Sequence, residues 1–113
     1  MSEEKKRFIQ EFVPGKQITL SHLIANPDAD LFVKLGIQEA GSLGIMTCTP
    51  SETVIIAGDL ATKSANVNVG FLDRFTGSLV LVGSVSEVEM AMQEINRFLY
   101  EKLGYTRTEI TKS

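Results

Sequence analysis

The order of elements written into this sequence predicts an α+β domain of the ferredoxin-like, split βαβ kind, an antiparallel sheet with helices on one face. Three observations carry that expectation. From Ser42 onward the pattern reads strand, helix, strand, strand, helix, with one strand and helix ahead of it and one strand behind. Two Ser/Thr-x-x-Glu motifs, Thr49-Pro50-Ser51-Glu52 and Ser84-Val85-Ser86-Glu87, mark helix starts. The chain has 113 residues, 43% hydrophobic and 22% charged, which suits one soluble core.

Each element has its own local reason. Phe8-Ile9-Gln10-Glu11-Phe12-Val13 is a short strand candidate stopped by Pro14-Gly15, set apart from the domain that follows. Gln17–Ala25 alternates, with Ile18, Leu20, His22 and Ile24 on one face and Gln17, Thr19 and Ser21 on the other. Asn26-Pro27 predicts a helix start, Asn as N-cap and Pro at the first helical position, with Leu31, Phe32 and Leu35 as the apolar stripe and Gly36 as C-cap. Ser42–Thr49 reads as a buried strand. The first Ser/Thr-x-x-Glu motif opens a helix to about Ala65 that buries Val54, Ile55, Leu60 and Ala61. Val67–Asp73 and Val80-Leu81-Val82 are strands flanking a turn at Thr76-Gly77. The second motif opens the strongest helix, in which Val88, Met92, Ile95, Leu99 and Leu103 recur at helical spacing up to Gly104. Tyr105–Thr111 alternates as a last strand whose place in the sheet stays open. The right-handed crossover rule orients Ser42–Thr49 parallel to Val67–Asp73. A sheet with one bare face requires a neighbouring subunit to cover it, so self-assembly is expected.

Composition removes several function classes. Fourteen acidic against eleven basic residues give a net charge of −3, the wrong sign for a nucleic-acid surface. No apolar run approaches the ~20 residues that span a bilayer, and Met1–Arg7 lacks a signal-peptide core. One Cys excludes an internal disulfide, and one His with one Cys cannot build a zinc site. Pro14-Gly15-Lys16-Gln17 lacks the first Gly and the Ser/Thr of a phosphate loop and reads as a Pro-Gly turn. Neither a Gly-x-Ser-x-Gly elbow nor a His-Glu-x-x-His motif is present. No enzyme activity, cofactor or metal is expected.

Several stretches together resemble the bacterial-microcompartment (BMC) shell domain: Leu43-Gly44-Ile45-Met46 its first strand, Asp59 to Val67 the end of its first helix, Val69-Gly70-Phe71 and Gly77-Ser78-Leu79-Val80 the flanks of a loop, and Gly83 to Val88 the start of its second helix. The family's last strand and helix look like Ile18–Ile37 here and precede the rest, a circular permutation. With Ile9–Gln17 added, the chain resembles the permuted shell proteins of ethanolamine-utilisation compartments, with the propanediol-utilisation type as near relative. The resemblance implies residues 1–16 as a tail and barrel-forming strand, and 17–113 as the permuted shell domain. It implies a cytoplasmic homohexamer that tiles with other shell proteins around encapsulated enzymes, with no nucleic-acid or membrane partner. Asp73, Arg74, Phe75, Thr76, Gly77 and Ser78 correspond to the pore loop. Phe8, Ile9, Gln10, Glu11, Phe12 and Val13 fit the strand that closes a small barrel over the pore. Lys63 corresponds to the tile-edge lysine. Many unpermuted members carry an Arg between two prolines where this chain has Ala25-Asn26-Pro27, so Asn26 marks a departure at the edge.

Gly41 sits at the joint created by the permutation. It reads either as a positive-φ turn glycine or as a hinge that lets the ring bend. His22, on the expected apolar face, reads as a satisfied core histidine, and Cys48 as a small buried strand residue. Glu3-Glu4-Lys5-Lys6-Arg7 reads as a solvated tail. Lys63 alone could simply complement its helix dipole, and Asp73–Ser78 could be an ordinary hairpin turn. Two rival classes fit the same pattern. A ferredoxin-like small-molecule-sensing module predicts a defined dimer or tetramer with saturable binding. An acylphosphatase-like enzyme needs an Arg in the loop after the first core strand, where this chain has Thr49-Pro50-Ser51.

Overall fold

A computed structural model describes Gly15–Ser113; the strand expected at Phe8–Val13 and the charged tail before it lie outside the described residues. The elements are β1 (Gln17–Ala25), α1 (Ala29–Leu35), β2 (Ser42–Thr49), α2 (Thr53–Ser64), β3 (Asn68–Asp73), β4 (Ser78–Gly83), α3 (Val85–Leu103) and β5 (Thr111–Lys112). The sheet order is β3-β4-β2-β1-β5. β1 is antiparallel to β2, β2 to β4 and β4 to β3, so β2 and β3 run the same way with β4 between them, as the crossover rule requires. β5 joins β1 in parallel and makes the sheet mixed rather than wholly antiparallel.

The helices lie on both faces, which corrects the one-sided arrangement expected from sequence. α2 and α3 cover one face, where Ile18, Leu23, Met46, Val54, Leu79, Leu81, Met92, Ile95 and Leu99 form the main core. α1 caps the other, driving Phe32 against Leu43 and Val82. A Phe32→Ala change would cost about 3–5 kcal/mol. Within α1 only Phe32 is fully buried; Leu31 is half-buried and Leu35 points outward. The helix also starts later than expected. Asn26 adopts φ 50° in the turn after β1, a conformation Asn tolerates, and Asp28 takes the N-cap position. Gly36 does end the helix in the left-handed conformation.

The alternation of β1 breaks at a bulge between Ile18 and Leu20. Ile18 faces the main core, but Ser21 and Leu23 are the next buried residues, while Leu20 is 40% exposed. The bulge turns His22 to the other face, half-buried, with Nδ1 2.6 Å from Thr111 Oγ1 and Nε2 2.8 Å from Ser113 Oγ. His22 is satisfied, but it is not a core residue.

The two Ser/Thr-x-x-Glu motifs behave differently. Ser84 Oγ accepts from the Glu87 amide at 3.3 Å and starts α3 as expected. The Glu87 carboxylate accepts from the Asn66 amide at 2.7 Å instead of reaching back to Ser84, tying the start of α3 to the chain entering β3. Thr49 cannot cap α2, because it stays in the ladder opposite Gln17. The chain turns through Pro50–Glu52, and α2 begins at Thr53 with no side-chain cap. Val54 and Ala61 are buried as expected, Leu60 is half-buried, and Ile55 is 49% exposed. The last strand is shorter than its alternation suggests: a bridge between Thr106 and Gln17, an irregular stretch, and then β5.

Candidate functional site

The connection between β3 and β4 is a tightly bonded loop. Asp73 Oδ1 accepts the Phe75 amide at 2.9 Å, and the Asp73 carbonyl accepts the Gly77 amide at 2.9 Å. Thr76 Oγ1 donates to Ser78 Oγ at 3.1 Å. The bond from the Phe75 amide, with a further one from the Thr76 side chain, holds the Asp73 carboxyl below the usual carboxylate range. The Arg74 guanidinium lies over the Phe75 ring, 4.9 Å from its centroid, and Phe75 is 79% exposed. Gly77 anchors the loop to the sheet. Its φ is +78°, its carbonyl accepts the Cys48 amide at 2.9 Å, and a Cβ there would stand 2.5 Å from the Cys48 carbonyl oxygen. Only glycine fits.

Register sorts the remaining candidate residues into two ends of the molecule. Gln17 pairs with Thr49, and Cys48 is bonded to Gly77, so the chain emerging from Gly15 stands at the same end as the Asp73–Ser78 loop. At the opposite end Ala25 pairs with Ser42 and Ser42 with Gly83. Asn26, Gly41 and the last turn of α2 with Lys63 lie there. The Asn26 amide donates to the Gly41 carbonyl at 2.9 Å. Lys63 Nζ pairs with Asp59 Oδ2 at 2.8 Å, one turn back, and its side chain is 72% exposed. Gly41 is not among the positive-φ glycines, which removes the left-handed turn reading for it.

Cys48 is buried, and burial pushes its thiol up to about 11, the reverse of what a reactive cysteine needs. Among the described residues no cluster of three His, Cys, Asp or Glu side chains could hold a metal, and no described helix is long and apolar enough to cross a membrane. One polar feature escaped the sequence reading. Asn96 is buried on α3, its Nδ2 donating to Ser21 Oγ at 3.2 Å and to the Met92 carbonyl at 3.1 Å. Its Oδ1 accepts the Thr108 amide at 3.0 Å. The available signal was a lone amide four residues after Met92, within the apolar stripe.

The strand β1, first in the chain yet held between β2 and β5, makes this a circularly permuted split βαβ domain. The family model of the BMC domain matches residues 42–111, and the chain belongs to that family, the bacterial microcompartment shell proteins. It is 57% identical over 110 residues to shell protein EutS of Escherichia coli (strain K12), covering 97% of this chain and 99% of that protein. It is 59% identical over 108 residues to shell protein PduU of Salmonella typhimurium (strain LT2), covering 95% and 93%. Among solved structures it is similar to CutR, both as a flat hexamer (TM-score 0.85, 42% identity, 89% of this chain and 94% of that one) and as a screw of 41.9 Å pitch (TM-score 0.84, 42% identity, 88% and 100%). EutS and PduU are both bacterial microcompartment shell proteins.

Proposed function

We propose that the protein forms cyclic homohexamers that tile, with other shell proteins, into the wall of a cytoplasmic microcompartment of the ethanolamine-utilisation type, around encapsulated enzymes. The two-ended arrangement carries this reading. With the Asp73–Ser78 end turned inward, six copies bring their loops together around one axis as a pore and direct Lys63 and Asn26 outward to the tile edge. Gln17 then starts β1 beside that axis, where six copies of Phe8–Val13 can pair into a small barrel over the opening; an isolated short strand is not stable in water, and ring closure removes its edges. Gly41, next to the bond that closes the α1 excursion, serves as the hinge through which a ring departs from strict six-fold symmetry.

Negative-stain and cryo-electron microscopy of the concentrated protein test this reading. Six-fold rings that associate into sheets, with density over the central opening, are expected. Deleting Met1–Val13 should leave a folded hexamer with an uncovered opening. Discrete dimers or tetramers would instead favour a ligand-sensing module, and a truncated protein that unfolds would place the segment in the core.

A further inference from the structure

After α3 the chain turns at Gly104 and runs back along the outer edge of β1, and the bonds that hold it there are of an unusual kind for a sheet edge. At its start Tyr105 is buried, its hydroxyl 2.7 Å from Thr53 Oγ1. Beyond that point only Ile110 packs against the main core, Lys112 Nζ pairs with Glu89 Oε2 at 2.7 Å, and hydrogen bonds join the chain to β1. The Thr106 carbonyl accepts the Ile18 amide at 2.8 Å. Thr108 Oγ1 lies 2.7 Å from Ser21 Oγ, and the Thr108 amide donates to Asn96. Thr111 and Ser113 hold His22 between their hydroxyls, and the Ser113 carbonyl accepts the Ala25 amide at 2.9 Å. No residue from Thr106 to Ser113 is fully buried, and regular strand pairing with β1 extends over two residues only.

We propose that residues 106–113, beyond the buried Tyr105, form a strap that opens as one unit while β1 stays paired with β2, uncovering the outer edge of β1. Segments with few buried apolar contacts and exposed backbone bonds open at lower free energy than core strands. The Thr108–Ser21–Asn96 cluster is the latch, because it is the one place where the outer strap reaches a buried polar side chain. The uncovered edge presents the Ile18 and Ala25 amides.

Hydrogen–deuterium exchange of the full-length protein, read at single-residue resolution, tests the proposal. The amides of Ile18, Ala25, Thr106, Thr108 and Ser113 should exchange together and at least tenfold faster than those of the central strand β2. Thr108→Val removes the latch hydroxyl while keeping the branched shape. It should speed that same set about tenfold and leave β2 unchanged, and Thr108→Ser, which keeps the hydroxyl, should restore wild-type rates. Equal protection of the strap and β2, or a Thr108→Val change that accelerates both alike, would overturn the idea of an independent strap.

Discussion

The amide of Asn26 donates to the carbonyl of Gly41 across 2.9 Å, closing the excursion of chain that carries α1 into a loop whose two ends are bonded to each other. α1 is therefore hung from one point of the sheet and fixed at its far side by Phe32.

Gly41→Val tests that joint. A Cβ at Gly41 would lie 3.5 Å from Ser84 Cα and 3.6 Å from the Gly83 carbonyl, both ordinary contacts, and the backbone is not left-handed. The variant should fold with stability within about 1 kcal/mol of the parent, since a stiffer residue narrows the unfolded ensemble as well. Its rings in cryo-electron microscopy should be flat and six-fold. Bent rings from Gly41→Val, or flat ones from the wild type in solution, would remove Gly41 as the hinge.

Lys63→Asp addresses the tile edge. The change removes the ion pair with Asp59 and puts two carboxylates one helical turn apart. For so exposed a pair the loss should stay under about 1 kcal/mol. Size-exclusion chromatography should still show the hexamer, while electron micrographs lose the sheets. Sheets of wild-type quality would remove Lys63 from the contact.

The two glycines at Gly77 and Gly104 share a left-handed backbone and differ in their surroundings. Gly104→Ala should cost about 1 kcal/mol, the conformational term alone. Gly77→Ala meets the Cys48 carbonyl as well and should cost about 2–3 kcal/mol. Urea unfolding of both variants measures the difference, and equal losses would show that the Gly77–Cys48 approach relaxes freely.

Cys48 should react with iodoacetamide at pH 8 only as fast as the protein unfolds. Its folded value, about 11, stands above the ordinary 9.0, so the unfolded chain releases this proton first. The contribution to stability is complete below pH 9 and falls as the pH rises toward 11. Urea midpoints across that range should decline, and in Cys48→Ala the part of the decline due to this thiol should vanish.

Periodicity made α3 legible because its apolar stripe and its cap agree: Ser84 had no competing partner, and Val88, Met92, Ile95 and Leu99 all face the sheet. The start of α2 was misread because Thr49 has two possible uses, capping a helix or pairing with Gln17, and only the folded sheet decides between them. β1 failed through one inserted residue. An alternation reading assumes a regular pleat, and the bulge before Leu20 moved His22 to the outer face. The position of α1 was out of reach, since Phe32 would satisfy either face of the sheet equally well. The site residues could be named from the resemblance, but their division between two ends of the molecule follows from strand register, which a linear pattern does not contain.

The order of β1 and β5 also sets a timetable for synthesis. His22 and Thr111 are neighbours separated by 89 positions in the chain. At roughly 5–20 residues per second, β1 leaves the ribosome roughly 4–18 s before the strand that will shield it. Neighbouring chains growing on one messenger thus carry the same incomplete sheet at the same time, spaced along the transcript. The outer side of β1 therefore stays open in each growing chain until the segment around Thr111 has emerged.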